Sequence, residues 1–206
     1  VRTEYSLASW STKDGLPSNI VSAIAQDALG YLWLGTDAGL VRFDGVRFVS
    51  WKGSGGVPLP TTSIRALLVT RDGGLWIGYG GTGSLARLDH GGGVRLFGAN
   101  DGLVNGSVTA LAEDFDGGVW AVSGGSLYRF DRNRWHLVTA QDGLSDGQVG
   151  GIFVDRAGTI FVGATSGVFQ RLPGHDRFEP VGALREVARA VSSNTAGEVW
   201  VTDPVF

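Results

Sequence analysis

One unit recurs at a nearly fixed interval, and it restricts the fold of this chain more than any other feature. A glycine, a variable residue, an apolar residue and an aromatic ring appear in "RDGGLWIGY" (71–79), "DFDGGVWAV" (114–122), "DRAGTIFVG" (155–163) and "NTAGEVWVT" (194–202), and earlier in "GYLW" (30–33). The aromatic residues are Trp33, Trp76, Trp120, Phe161 and Trp200, spaced by 43, 44, 41 and 39 residues. A period near 40 is that of a four-stranded propeller blade. The glycine three places before each ring (Gly30, Gly73, Gly117, Gly158, Gly197) falls where a tight hairpin requires positive φ. Six before the ring stand Asp27, Asp114, Asp155 and Asn194, which can accept from turn amides, with Thr70 breaking the pattern.

Each unit reads as four short strands. The first runs over 20–26, 64–70, 108–113, 149–154 and 187–192, and the second carries the aromatic residue. A third follows at 39–44, 84–89, 126–131 and 167–172, and a fourth at 46–51, 94–97, 134–138 and 177–181. Runs rich in Val, Ile, Phe and Trp, closed by Gly and Asp turns, are antiparallel meander signals. No helix is expected; "LREVARAV" (184–191) fits the register of a first strand. The fold class is therefore all-β, a propeller built of four-stranded antiparallel blades. Blades are expected at 20–51, 64–97, 107–138 and 148–181, with a fifth starting at 187 and running to 206, and an orphan outer strand at 4–10. Four and a half blades leave open edges, so the chain reads as an incomplete piece of a larger propeller. The aromatic rings are expected in the wedge between neighbouring blades, where a regular apolar period marks a core rather than a ligand-stacking ladder.

Composition agrees. There are 34 glycines in 206 residues, roughly twice the usual ~7%, without the three-residue period of collagen. A net charge of −3 gives no basic footprint for nucleic acid. The lack of cysteine excludes disulfides, thiol catalysis and thiolate-held zinc. No apolar run approaches the length of a membrane span, and no signal peptide is recognisable at the start.

The stretch "DGLPSNIVSAIAQDALGYLWLGTDAGLVRFDG" (14–45) closely resembles the two-component regulator propeller repeat. Weaker copies are "NDGLVNGSVTALAEDFDGGVWAV" and "QDGLSDGQVGGIFVDRAGTIFVG", while the second blade replaces the DGL lead-in by "GGVPLPTTSIRALLV". The resemblance implies the extracytoplasmic sensor part of a bacterial membrane signalling protein, such as a hybrid histidine kinase or a diguanylate cyclase. It implies a periplasmic location, a small-molecule or oligosaccharide ligand, signalling through self-association as a dimer, and membrane attachment through a segment downstream. It brings no catalytic residues and no cofactor.

The residues suggest no catalysis within this segment. His90, His136 and His175 belong to three blades and are expected on the rim, so no metal site is expected. "GYGGTGSL" (78–85) lacks the lysine and helix of a phosphate loop. Recognition is expected where the DGL lead-ins and the turns between second and third strands converge on one face. Asp14, Gly15, Leu16 and their copies have structural duties there. The ligand-contact candidates are Asn19, Thr36, Asp37, Tyr79, Asn105 and Ser123, with Tyr79 the one aromatic side chain expected to be exposed. Two other functions fit the same residues: a protein-interaction scaffold without a signalling role, and a lyase or hydrolase whose catalytic residues lie outside this segment.

Overall fold

The computed structural model describes residues 7–54, 57–60, 63–81, 84–104, 106–182, 190–193 and 198–202. Four antiparallel sheets of four strands follow one another. The first holds β1 (Val21–Gln26), β2 (Leu32–Thr36), β3 (Gly39–Phe43) and β4 (Phe48–Trp51). A two-stranded hairpin, β5 (Gly53–Ser54) and β6 (Val57–Pro58), leads to the second sheet of β7 (Ile64–Val69), β8 (Leu75–Tyr79), β9 (Leu85–Leu88) and β10 (Val94–Phe97). The third contains β11 (Val108–Glu113), β12 (Val119–Ser123), β13 (Ser126–Asp131) and β14 (Arg134–Leu137). The fourth contains β15 (Val149–Val154), β16 (Ile160–Ala164), β17 (Gly167–Arg171) and β18 (Glu179–Pro180). A last pair, β19 (Ala190–Ser193) and β20 (Val199–Thr202), begins another meander. First strands touch in series, β1 to β7 to β11 to β15 to β19, so the sheets are arranged as propeller blades with their first strands adjacent.

The core lies between blades, because each sheet has two faces and each face needs a neighbour. Trp33 packs with Ile64, Leu75 and Ile77 of the second blade, Trp76 with Val108, Val119 and Tyr128 of the third, and Trp120 with Ile160, Val162 and Phe169 of the fourth. Rings add edge contacts: Trp76 lies 5.1 Å from Phe130 and 5.6 Å from Trp135, measured between centroids. Trp200, the same position in the last pair, is 65% exposed, since no described blade covers it. The repeat therefore builds walls wherever a next blade follows.

Close approach of blades depends on missing side chains at two points. A Cβ on Gly35 would stand 2.5 Å from Ile64 Cγ2, and one on Gly78 would stand 2.6 Å from Val108 Cγ1. The first residue of one blade thus nests on a second-strand glycine of the blade before it. The first strand of each four-stranded sheet is also bulged just after that residue, between Val21 and Ala23, Ile64 and Ala66, Val108 and Ala110, and Val149 and Gly151.

The lead-ins fold into something the periodicity did not predict. Short 3-10 turns occupy Thr12–Asp14, Ala99–Asp101 and Ala140–Asp142. Each is closed by the acid of DGL, whose Oδ2 accepts from the backbone N–H of Ser11 (2.8 Å), Gly98 (3.0 Å) and Thr139 (2.8 Å). At Ser11 and Thr139 the N-cap hydroxyl and the N3 acid form a capping box, whose legible signal was S-x-x-D or T-x-x-D, while Gly98 has no side chain and only donates its backbone N–H to Asp101. The following glycines are left-handed, and the leucines drop into the core. Leu16, Leu103 and Leu144 all precede their first strand by five residues, and so does Leu59, with exposures of 6%, 0%, 5% and 7%. The second blade has lost the acid and the glycine but kept the anchoring leucine.

The strand expected at 4–10 differs from what is seen. Its described part, residues 7–10, forms no ladder, and Trp10 instead docks edge-on against Phe43 at 5.3 Å and Phe48 at 6.4 Å. Residues 1–6, and 187–189 of the expected fifth-blade first strand, lie outside the described residues.

Candidate functional site

Antiparallel order puts the lead-ins and the turns between second and third strands on one face. On it, a turn of one blade is tied to the start of the next. Ser63 donates its hydroxyl to Asp37 Oδ1 at 2.8 Å, the Gly81 N–H donates to Ser107 Oγ at 2.8 Å, and the Val149 N–H donates to the Gly125 carbonyl at 2.7 Å. Arg65 lies 4.0 Å from the same Asp37 carboxylate.

The sequence candidates divide on this face. Asn19 and Asp37 are exposed, yet both already have structural partners: Asn19 Oδ1 accepts from the Thr12 N–H at 2.9 Å, and Asp37 joins blades one and two. Thr36 is fully buried; its hydroxyl donates to the Gly39 carbonyl at 2.8 Å and accepts from the Ala38 N–H at 3.1 Å. Ser123 is buried as well, with its hydroxyl 3.4 Å from the Val104 carbonyl. Asn105 falls outside the described residues.

Tyr79 requires a correction, because it is not exposed. Its exposure is 0%, it packs with Leu40, Ile64 and Leu88, and burial alone pushes its phenol well above the ordinary value. Tyr79 ends β8 opposite Ile64, the residue that nests on Gly35, and that position faces the preceding blade rather than solvent. Its hydroxyl has no hydrogen-bond partner among the described residues.

The opposite face carries the features that sequence reasoning missed. Turn carboxylates there bond not only amides but indoles. Asp27 Oδ1 accepts from the N–H groups of Leu29 and Tyr31, each at 3.0 Å, while Oδ2 accepts from Trp33 Nε1 at 2.9 Å. Asp114 repeats this with Asp116, Gly118 and Trp120 Nε1. On the third strand, opposite each indole, stands an arginine: Trp33 pairs with Arg42, Trp76 with Arg87 and Trp120 with Arg129. Arg87 contacts Asp72 at 2.6 Å and Arg129 approaches Asp114 at 3.9 Å. In the second blade Asp72 replaces the missing turn acid, and the Thr70 hydroxyl, donating to it at 2.6 Å, holds its carboxyl below the ordinary value. In blades one and three the signal was present as Asp six before Trp and Arg nine after it.

Clefts open between the blades. One of 430 Å³ between blades two and three is lined by Arg71, Trp76, Arg87, Glu113 and Phe130. One of 340 Å³ between blades one and two is lined by Tyr31, Trp33, Arg42, Trp51, Leu88 and His90. A third, of 210 Å³, lies between Arg129 and Arg171 on the outer side of blades three and four. There, burial and then the neighbouring Arg129 lower the Arg171 guanidinium from its usual value. His90 and His175 sit in turns between third and fourth strands and His136 on β14, in three different blades. Among the described residues no three His, Asp or Glu side chains converge as a metal site.

Known proteins share this architecture. The chain aligns with a streptogramin B lyase at 14% identity and a TM-score of 0.70, covering 91% of this chain and 63% of that one. It aligns with the extracellular domain of a Bacteroides thetaiotaomicron protein described as a one component system at 20% identity and a TM-score of 0.66, covering 88% of this chain and 25% of that one. A structure of that domain described as part of a hybrid two component system gives 17% identity and a TM-score of 0.67, covering 89% of this chain and 26% of the other. At such identities the likeness shows the fold, and the chain spans less than two thirds of each. No curated protein matches by sequence. The two-component regulator propeller family matches residues 15–38 and 58–81, two windows that both run from the buried leucine's lead-in to the turn after the second strand. The chain thus carries repeats of the two-component regulator propeller family.

Proposed function

We propose that this chain is a non-catalytic, ligand-sensing section of a larger propeller, in the extracytoplasmic part of a bacterial two-component or related transmembrane signalling protein. The observation that carries the reading is the family match in two successive blades, 43 residues apart and in the same register on the fold. Fold likeness to the extracellular domains from B. thetaiotaomicron supports it. The lyase likeness extends to the fold only, and the three histidines of this chain stand in separate blades, away from the first strands.

In this reading the blades form a rigid frame. A ligand or partner that binds one association state of the ectodomain better than another shifts the population toward that state. The face of Asn19 and Asp37 offers exposed polar groups already held in place by Thr12 and Ser63, which favours recognition with little reordering. The ligand would be a small molecule or oligosaccharide, the self-association a dimer, and the compartment the periplasm.

The complete coding sequence tests the proposal. Further blades, an apolar run of about 20 residues and a kinase or cyclase module support it. A complete chain without any membrane-spanning segment overturns it.

A further inference from the structure

The three inter-blade clefts differ in one respect that matters for binding: whether their cations already have partners. In the cleft between blades two and three, Arg87 meets Asp72, and Arg71 bonds Glu113 and the carbonyls of Asp114 and Phe115. Between blades three and four, Arg171 donates to the His175 carbonyl at 2.5 Å, and Arg129, though its Nε is buried and unpartnered among the described residues, faces Asp114. Arg42 is the exception. It occupies the same third-strand position as Arg87 and Arg129, but no carboxylate lies within ion-pair distance of it among the described residues; its guanidinium stacks on the Tyr31 ring at 4.5 Å.

Two acids, Asp27 and Asp89, also line the cleft, and neither forms an ion pair with Arg42 among the described residues. Asp27 spends both oxygens on two turn amides and the Trp33 indole, and Asp89 Oδ1 accepts from the Gly93 N–H at 2.6 Å. The walls of the cleft are flat and apolar, formed by Trp33, Trp51 and Leu88, with the His90 imidazole pressed against the Gly73 turn. A cleft of this size, largely apolar with a few convergent polar groups, has the general make-up of a small-molecule site. An arginine of intermediate exposure, with no carboxylate at ion-pair distance among the described residues, carries a planar guanidinium whose geometry matches a carboxylate.

We propose that the cleft between blades one and two binds a small carboxylate with a flat apolar body, the carboxylate on Arg42 and the body against Trp33 and Trp51. The site lies within two adjacent blades of this chain, on the face opposite Asn19 and Asp37, and is independent of the sensing reading.

The probe is benzoate, with benzamide as its neutral counterpart of the same shape, followed through the indole N–H signals of Trp33 and Trp51 in the 206-residue chain. Benzoate is expected to move both signals and to bind about tenfold more tightly than benzamide, as one charge-assisted bidentate contact provides. Arg42→Gln is expected to abolish that difference while leaving the dispersion of the other indole signals intact. If benzoate moves neither signal, or if benzamide binds the unaltered chain equally well, the proposal fails, and this second comparison needs no variant to fold. Equal benzoate affinity in a folded Arg42→Gln chain also overturns it.

Discussion

Trp120 Nε1 donates to Asp114 Oδ2 at 2.9 Å inside the third blade, and the other oxygen of the same carboxylate closes the turn six residues upstream of the ring. One buried side chain thereby fixes both the hairpin and the position of the aromatic wall that meets the fourth blade. Hydrogen bonds to a charged group contribute about 1.5–3 kcal/mol each. Asp114→Ala is therefore expected to lower stability by about 3 kcal/mol and Trp120→Phe by about 2 kcal/mol. Asp155→Ala should cost less, because Phe161 supplies no indole donor and Asp155 holds only the amides of Ala157 and Thr159. Urea unfolding of the three variants checks the order; equal losses at Asp114 and Asp155 would show that the indole bond contributes nothing.

Leu59 tests whether the second blade is anchored like the others despite lacking DGL. It is buried, precedes Ile64 by five residues and packs in the core shared by blades one and two. Leu59→Ala is expected to cost about 2–5 kcal/mol, in the same range as Leu103→Ala. A loss near zero at Leu59 with a large one at Leu103 would mean that the second lead-in is only a linker.

The blades were legible in the sequence because their signal is a period, and a period survives any single substitution. The exposure of individual side chains was not. Thr36, Tyr79 and Ser123 all close second strands, and polar or phenolic residues next to glycine-rich turns look accessible in a linear reading. In the fold, that strand end is covered by the neighbouring blade, as the nesting of Ile64 on Gly35 shows. Asp37, one step further into its turn, and Asn19, two residues before β1, are exposed but bonded. Indole-to-carboxylate bonds and the stacking of Arg42 on Tyr31 depend on side-chain directions, which spacing suggests only after the blade geometry is known.

Gly35→Ala probes that nesting directly. The added methyl would stand 2.5 Å from Ile64 Cγ2 in a fully buried setting, so blades one and two must move apart or Ile64 must shift. Overpacking of this kind costs about 1–3 kcal/mol. The second change Ile64→Ala, made in the Gly35→Ala background, should cost less than Ile64→Ala alone. A double-mutant cycle with no coupling would place the strain elsewhere.

Acid should remove one specific contribution in the second blade. The Thr70 hydroxyl, the Gly74 N–H and Arg87 all favour ionised Asp72, so its folded value lies below the unfolded one. A depressed carboxylate stabilises the fold above its unfolded value, and the contribution fades as pH falls through the folded value. Because the Asp72 side chain is 62% exposed, the expected contribution is under ~1 kcal/mol after solvent screening. The stability gap between the unaltered chain and Asp72→Asn should be measurable at about pH 6 and close at about pH 2. A gap that widens in acid would contradict the assignment.

Tyr79→Phe separates a ligand contact from a core residue. The Tyr79 hydroxyl is buried without a partner among the described residues, and an unsatisfied buried hydroxyl carries a desolvation cost of about 1–3 kcal/mol. Removing it leaves the ring in place against Leu40 and Ile64. The variant is expected to be at least as stable as the unaltered chain, with a urea midpoint that is unchanged or higher and an unchanged slope. It should also bind any ligand of the loop face unchanged, since no part of the side chain reaches solvent. A destabilisation above about 1 kcal/mol would reveal a hydrogen-bond partner for the hydroxyl, such as a trapped water. Loss of ligand binding without loss of stability would return Tyr79 to the recognition surface.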